Sequence, residues 1–135
     1  MIKFHHIGVV TSELQKTIEI YKQLNYTEAL SVVDEIQLAN IVLLKNKNGP
    51  MVELISPTSE DSPAHKWIDR VTAGPYHTCY ECDDLEKQIN LFISQNLMVI
   101  SDIVPAIAFD NKSVVFLWGN HVGLIELVEK DKRVT

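Results

Sequence analysis

Several features that would mark a common class of protein are scarce or missing in this chain of 135 residues. It has two cysteines, Cys79 and Cys82, and neither a second C-x-x-C nor an H-x-x-x-H is present to complete a four-ligand zinc site. Strand-like residues run through Cys79, whereas redox C-x-x-C pairs usually open a helix, so we expect two reduced thiols. No apolar run approaches about 18 residues, and the N-terminus becomes polar too early for a signal peptide. These absences predict a cytoplasmic protein that does not enter a membrane.

The chain also lacks an excess of positive charge. Its formal net charge at pH 7 is −6, which argues against nucleic acid or an anionic membrane surface as the main partner. A small anionic ligand is compatible with this balance, because one local site can be positive in an acidic protein. Apolar residues are plentiful at 46%, enough to build a core in one compact domain or in two small halves that share it.

A repeat is the most informative feature of the sequence. HHIGVVTSELQKTIEIYKQLNY, from residue 5, aligns with YHTCYECDDLEKQINLFISQNL, from residue 76, and places His6 over His77. Further on, MVELIS at 51–56 aligns with LIELVE at 124–129 and places Glu53 over Glu126. Self-similarity at a nearly fixed offset indicates duplicated structural units. We expect one domain over residues 1–135, composed of a module at 1–57, a linker at 58–75 and a second module at 76–130.

Each copy predicts the same element order. A strand leads into an amphipathic helix, and three further strands follow. The predicted strands span residues 4–10, 27–33, 37–45 and 51–56 in the first copy, and 77–81, 98–107, 113–118 and 124–128 in the second. The expected N-caps are Ser12 in the first copy and Asp83 or Asp84 in the second. The apolar stripes of the two helices are Leu14, Ile18, Tyr21 and Leu24, and Leu85, Ile89, Phe92 and Ile93. A short helix at 64–70 completes an α+β architecture of βαβββ repeated twice.

Two polar residues recur at matched places on the predicted strands. Each copy begins with a histidine, His6 or His77, and its last strand carries a glutamate between aliphatic residues, Glu53 or Glu126. A buried, unpaired glutamate would cost several kcal/mol, so this arrangement occurring twice favours a role for both. If the first and last strands of each copy are neighbours, each His and Glu share a face, and the approximate twofold unites the pairs. Two imidazoles and two carboxylates suit Ni²⁺, Co²⁺ or Zn²⁺, with Mn²⁺ or Fe²⁺ as further candidates, and leave coordination positions open for a substrate. The structural alternative is two satisfied strand histidines and two glutamates that reach solvent from edge strands.

Other histidines and aromatic residues are given structural roles. His5 points to the opposite strand face and is expected to lie beneath the helices, whereas His65 and His121 fall in loop-like segments. The aromatic residues that might stack a flat ligand are interpreted as packing residues: Trp67, Phe109, Phe116 and Trp118.

The whole chain resembles the vicinal oxygen chelate superfamily, which includes glyoxalase I, methylmalonyl-CoA epimerase, extradiol dioxygenases, fosfomycin-resistance thiol transferases and antibiotic-sequestering proteins. The segments that carry the resemblance are HHIGVVTSELQKTIEIYKQL, VELISPTSEDSP, YHTCYECDDLEKQI and GLIELVEK. The run from V-E-L-I-S-P to Y-H-T-C-Y-E looks most like the branch of methylmalonyl-CoA epimerase and small glyoxalase I-like proteins. The resemblance implies a glyoxalase/bleomycin-resistance fold, in which paired modules curve a mixed sheet into a cup, formed by one chain or between the two chains of a homodimer.

The resemblance also implies one divalent metal held at His6, Glu53, His77 and Glu126. The chemistry would move a proton next to the carbonyl of a thioester or hemithioacetal through an enolate or enediolate, with Glu126 as the first candidate base and Glu53 as the second. Epimerases of this branch often carry glutamine at the position of Glu53 and an extra glutamate on the third strand, where Glu35 is the nearest acid.

The resemblance leaves the substrate open. The chain has only two arginines, Arg70 and Arg133, so it has no arginine cluster to hold the carboxylates of glutathione. The glutamate at Glu53 argues against a dioxygenase or thiol transferase, since those members use two histidines and one carboxylate. The remaining alternative is a protein of the same fold that sequesters a drug without catalysis.

Overall fold

A computed structural model of the chain describes residues 1–130. Over these residues it contains nine strands, three α-helices and one short 3-10 helix. The first elements are β1 (Lys3–Val10), α1 (Leu14–Gln23), β2 (Thr27–Asp34), β3 (Ala39–Lys45), β4 (Val52–Pro57) and α2 (Ala64–Val71). They are followed by β5 (Gly74–Cys82), α3 (Leu85–Ser94), β6 (Met98–Val99), β7 (Val104–Ala106), the 3-10 helix (Ile107–Phe109), β8 (Lys112–Gly119) and β9 (Gly123–Glu129).

The N-terminal unit comprises His6–Tyr76. Its strands follow the order β2-β3-β4-β1, in which β1 and β4 are parallel and the other neighbours are antiparallel. The first and last strands of this copy are therefore adjacent, as the duplicated His and Glu positions required.

Within the described part of the chain, the C-terminal unit comprises Met1–His5 and residues 77–130. Its strand order is β5-β9-β8-β6, and β7 also pairs with β8. Strands β5 and β9 are parallel, whereas the pairs formed by β8 are antiparallel. Both units thus place their first and last strands side by side, and the predicted α+β class with a duplicated module is confirmed.

Each long helix covers an apolar cluster of its own unit. Under α1, Ile18 packs with Val9 and Leu54, and the half-buried Leu14 and Tyr21 join them. Under α3 the corresponding cluster contains Leu85, Ile89, Leu117 and Leu127, with Phe92 packed against it. The predicted apolar stripes hold over their first three members. Their last members are instead about half exposed: Leu24, the C-cap residue of α1, and Ile93, in the last turn of α3.

The N-terminal caps of the two helices differ. Asp84 is the N-cap of α3 and its side chain accepts a hydrogen bond from the Lys87 N–H, as predicted. The prediction for Ser12 is wrong, because α1 begins at Leu14 and its N-cap residue is Glu13. The hydroxyl of Thr11, not that of Ser12, accepts a hydrogen bond at the start of this helix, from the Glu13 N–H at 3.0 Å.

The single strand predicted at 98–107 is also wrong. The structure has β6 and β7 as separate short strands, and the last of these residues begins the 3-10 helix. Between the strands, the Ser101 hydroxyl accepts from the Phe116 N–H at 2.8 Å and replaces a ladder bond. Pro105 in β7 has no N–H to donate to a ladder. The other predicted strand bounds, and those of the helix at 64–70, agree with the structure to within three residues.

None of the helices found in residues 1–130 combines the length and the apolar character that crossing a membrane requires.

Candidate metal centre

The N-terminal unit brings His6 and Glu53 together. They lie on β1 and β4, whose parallel register places Glu53 opposite Gly8, two residues beyond His6 and on the same strand face. His6 Nε2 lies 3.2 Å from Glu53 Oε1, and the two side chains are 0% and 5% exposed. Two titratable groups are therefore buried in direct contact in an otherwise aliphatic stretch.

The C-terminal unit repeats this arrangement with His77 and Glu126. Here β5 and β9 are the parallel strands, and Glu126 lies opposite Cys79, again two residues beyond the histidine. His77 Nε2 lies 3.1 Å from Glu126 Oε1, and the side chains are 0% and 2% exposed. The duplication thus preserves the residue types, the strand register, the contacting atoms and the burial.

The donor atoms of each pair have the spacing that a shared ion requires. Two donors that bind one ion side by side at about 2.1 Å lie about 3.0 Å apart. The observed 3.2 Å and 3.1 Å match this value, and imidazole with carboxylate suits a divalent first-row ion. The same distances fit a hydrogen bond between imidazole and carboxylate, so metal analysis distinguishes the two states. The residues of each pair fit a metal by both donor type and spacing.

Two further residues adjoin the C-terminal pair and were not singled out for this site from the sequence. The Phe116 ring meets the His77 ring edge-on, with centroids 5.1 Å apart, and Phe116 is the cross-strand partner of Glu126. Cys79, the parallel-strand partner of Glu126, is fully buried. Strand alternation places Cys79 on the face of His77, but only the register shows that the same row contains Glu126.

The two cysteines form no disulfide and lie on opposite sides of β5. Cys79 lies beside the His77 pair, whereas Cys82 belongs to the apolar cluster beneath α3. Burial raises the pKa of the Cys82 thiol to about 11, and the nearby carboxylate of Glu129 adds to this effect. The expectation of two reduced thiols, one within the strand and one at its end, is confirmed.

The strand next to Glu53 carries no acidic residue. On β3, Leu43 is the cross-strand partner of Glu53, and Ile41 and Ala39 follow on the same face. Glu35, the candidate from the sequence, lies exposed in the turn between β2 and β3. Its neighbour Asp34 is buried and accepts hydrogen bonds from two backbone N–H groups of that turn. The wall beside Glu53 is therefore aliphatic.

The other three histidines belong to neither His–Glu pair. His5 is half-buried, and its ring meets the Phe109 ring of the 3-10 helix edge-on, with centroids 4.8 Å apart. His65 is half-buried in α2 rather than in a loop, which corrects the sequence interpretation. His121 is exposed in a turn, as expected.

Comparison with known proteins identifies the family. The model of the glyoxalase/bleomycin resistance protein/dioxygenase superfamily matches residues 5–116. The chain belongs to this superfamily. The superfamily predicted from the sequence motifs is thereby confirmed.

Similar proteins include both uncharacterised proteins and epimerases. An uncharacterised protein of Bacillus subtilis (strain 168) is 25% identical over 133 residues, which cover 96% of this chain and 93% of that protein. The mitochondrial methylmalonyl-CoA epimerase of Mus musculus is 25% identical over 128 residues, 93% of this chain and 71% of that protein. A Streptomyces coelicolor methylmalonyl-CoA epimerase variant, solved in complex with 2-nitronate-propionyl-CoA, has a TM-score of 0.79 at 24% identity. The match covers 96% of this chain and 98% of the Streptomyces chain. At this level of identity, the likeness is evidence for the fold alone.

Proposed function

We propose that this protein is a divalent-metal-dependent isomerase or lyase that moves a proton next to the carbonyl of a thioester or hemithioacetal. The observation that carries the proposal is the pair of buried His–Glu contacts, His6 with Glu53 and His77 with Glu126, at equivalent strand positions. In this proposal the four side chains bind one ion, Ni²⁺, Co²⁺ or Zn²⁺ with Mn²⁺ as a further candidate. Four protein ligands leave open the positions that a substrate needs.

The two glutamates supply the acid–base chemistry in this proposal. A bound divalent ion would stabilise the negative charge that develops on the substrate oxygens. The Glu126 carboxylate would take the proton from the carbon next to the carbonyl, becoming a carboxylic acid, and would return that proton to the substrate, with Glu53 as the second candidate for this base. Because β3 offers only Ala39, Ile41 and Leu43 on the face of Glu53, that strand provides no third carboxylate for these steps.

Burial supports this assignment over the structural alternative for the two glutamates. A glutamate that served only for solubility would reach water, yet the side chains of Glu53 and Glu126 are only 5% and 2% exposed. Burying a carboxylate beside an imidazole is costly unless the pair is compensated. A divalent cation compensates two carboxylates and also explains why the same solution recurs in both copies.

The first test combines metal analysis of the purified protein with deuterium exchange. The protein, supplied with nickel or cobalt in deuterated water, is incubated with methylmalonyl-CoA and separately with the hemithioacetal of methylglyoxal and glutathione. We expect one bound ion per chain and exchange at the carbon next to the carbonyl. Glu126→Gln should lower the exchange rate by about 100-fold or more, in the range of general acid–base catalysis. The exposed Glu35→Gln serves as the matched control and should leave the rate unchanged.

Exchange with neither substrate class, in protein shown to contain the metal, would contradict the enzymatic proposal. Tight binding of a drug by such a protein would identify the sequestering alternative. A rate lost in the Glu35→Gln variant would instead place a catalytic acid in the β2–β3 turn. The single domain over residues 1–135, the homodimer and the cytoplasmic location stay predictions.

A further inference from the structure

The residue that faces the glutamate of each His–Glu pair differs between the two copies of the module. In the N-terminal unit the cross-strand partner of Glu53 is Leu43, and in the C-terminal unit the partner of Glu126 is Phe116. Each partner precedes its glutamate by ten residues, so the two positions are equivalent in the repeat. Leu43 is buried, whereas Phe116 is half-buried and keeps accessible surface. The duplication thus keeps the histidines and glutamates but has an aromatic ring beside only the C-terminal pair.

The backbone of Phe116 turns both of its hydrogen-bonding groups away from Glu126. Its N–H donates to the Ser101 hydroxyl at 2.8 Å, and its carbonyl accepts from the Ile100 N–H at 3.0 Å. Phe116 and Glu126 therefore form a non-hydrogen-bonded antiparallel pair, the kind in which facing side chains are closest, with Cα atoms about 4.5 Å apart. The two side chains stand next to each other on one face of the sheet.

The ring of Phe116 is also fixed against His77. The ring centroids are 5.1 Å apart and the ring planes are nearly perpendicular, a favourable aromatic geometry. His77, Glu126 and the adjoining Cys79 are buried, so Phe116 is the accessible member of this group of four. A ligand that reaches the donor atoms of His77 and Glu126 therefore meets the Phe116 ring. Because the backbone is bonded and the ring is packed, the ring can move aside only by losing contacts.

We propose that Phe116 is a specificity-determining residue that limits the size of the apolar group carried by the reacting carbon of the substrate. The inference rests on the proposed function, because it assumes that the substrate lies at the His77–Glu126 pair while a proton is moved. A fixed aromatic ring favours a small apolar group that packs against it and excludes a larger group by overlap. Leucine, which the N-terminal unit has at the equivalent position, would leave more space.

The size limit can be tested by ligand binding without catalytic turnover. Hydroxamic acids chelate a divalent ion through two adjacent oxygens, and the carbon next to their carbonyl carries a variable group. Nickel-loaded protein is titrated in a calorimeter with acetohydroxamic, 3-methylbutanohydroxamic and phenylacetohydroxamic acid, and each affinity is divided by that of the same acid for free nickel. In the wild type we expect the affinity to fall by about 10-fold or more from the first acid to the last. In Phe116→Ala the order should reverse, with a gain of about fourfold for each CH₂ group that the new space accommodates.

Two further variants separate a size limit from a loss of packing. Phe116→Leu reproduces the residue of the N-terminal unit and should reduce the preference for acetohydroxamic acid without reversing it. Phe92→Ala is the matched control, because Phe92 packs against the apolar cluster beneath α3, on the other face of the sheet. It should keep the wild-type order of affinities. All three acids are measured on the same nickel-loaded variant, so a general loss of stability or of metal cancels in the ratio of their affinities.

An unchanged order in Phe116→Ala and Phe116→Leu would overturn the inference, as would equal affinities of the wild type for all three acids or a reversed order in Phe92→Ala. Failure of the size limit and failure of the enzymatic function give different results. A reversed order in Phe116→Ala, with no deuterium exchange on any thioester or hemithioacetal, would reject the enzymatic function and keep the size limit. Deuterium exchange by the wild type, together with one order of affinities in all variants, would do the reverse.

Discussion

The most direct test of the proposed metal centre is whether the two His–Glu pairs bind one ion or two. If all four side chains share an ion, His6→Ala and His77→Ala should each abolish nearly all metal-dependent stabilisation. If each pair acts alone, each variant should retain about half. The quantity to measure is the rise in melting temperature on adding nickel to chelator-treated protein.

The expected rise in melting temperature follows from the linkage between metal binding and folding. At a free metal concentration of 100 times the dissociation constant, binding raises the free energy of unfolding by about 2.7 kcal/mol. In a domain of this size that corresponds to about 10 °C in melting temperature. Loss of one of four ligands should weaken binding by at least about 100-fold, judged from the 10- to 100-fold losses seen when even residues behind the ligands are removed. At the same metal concentration, binding to the variant then raises the free energy of unfolding by only about 0.4 kcal/mol, which corresponds to a rise of about 2 °C in melting temperature.

The controls follow from the same structure. Each variant is compared with and without metal, so the cost of leaving Glu53 or Glu126 buried without its histidine cancels. His121→Ala removes an exposed histidine from a turn and should keep the full temperature shift. Calorimetric titration should give one ion per chain. A stoichiometry of two, or a retained half of the shift in His77→Ala, would refute a shared ion.

Three further predictions concern the rest of the chain. Burial raises the pKa of the Cys82 thiol to about 11, so less than about 1% of this thiol is thiolate at pH 8. Mass spectrometry should therefore find Cys82 unmodified by iodoacetamide in the folded protein and modified after denaturation. Asp84→Ala removes the side-chain acceptor for the Lys87 N–H and should lower the free energy of unfolding by about 1 kcal/mol in urea titrations, whereas Ser12→Ala, which affects no cap bond, should leave it unchanged within error. Leu38 has φ 52° in the β2–β3 turn, so Leu38→Gly should preserve or raise the melting temperature, and a clear loss of stability would show that the Leu38 side chain contributes more than its backbone conformation costs.

Local patterns in the sequence were sufficient for the repeated element order. The helices follow from apolar spacing, since Ile18 and Ile89 face their sheets, and the strands follow from aliphatic runs. Predictions from these patterns were wrong where a side chain replaces a backbone group as hydrogen-bond acceptor. Ser101 replaces a ladder bond and divides the predicted strand at 98–107. Just before α1, the Thr11 hydroxyl accepts a hydrogen bond from the N–H of the N-cap residue Glu13, whereas Ser12 makes no cap bond. Such competition depends on which partner is near in space, and spacing along the chain does not encode that.

By itself the sequence determined that the chain is duplicated, that it has an α+β architecture, and that His6, Glu53, His77 and Glu126 occupy matched positions, because repetition is visible without coordinates. Only the tertiary structure decided that each His contacts its Glu near 3 Å, that Glu35 is exposed, that β3 is aliphatic beside Glu53, and that Arg70 lies over Trp67. The physical reason is that a contact between distant residues depends on strand register. A shift of one residue turns a side chain to the other face of the sheet.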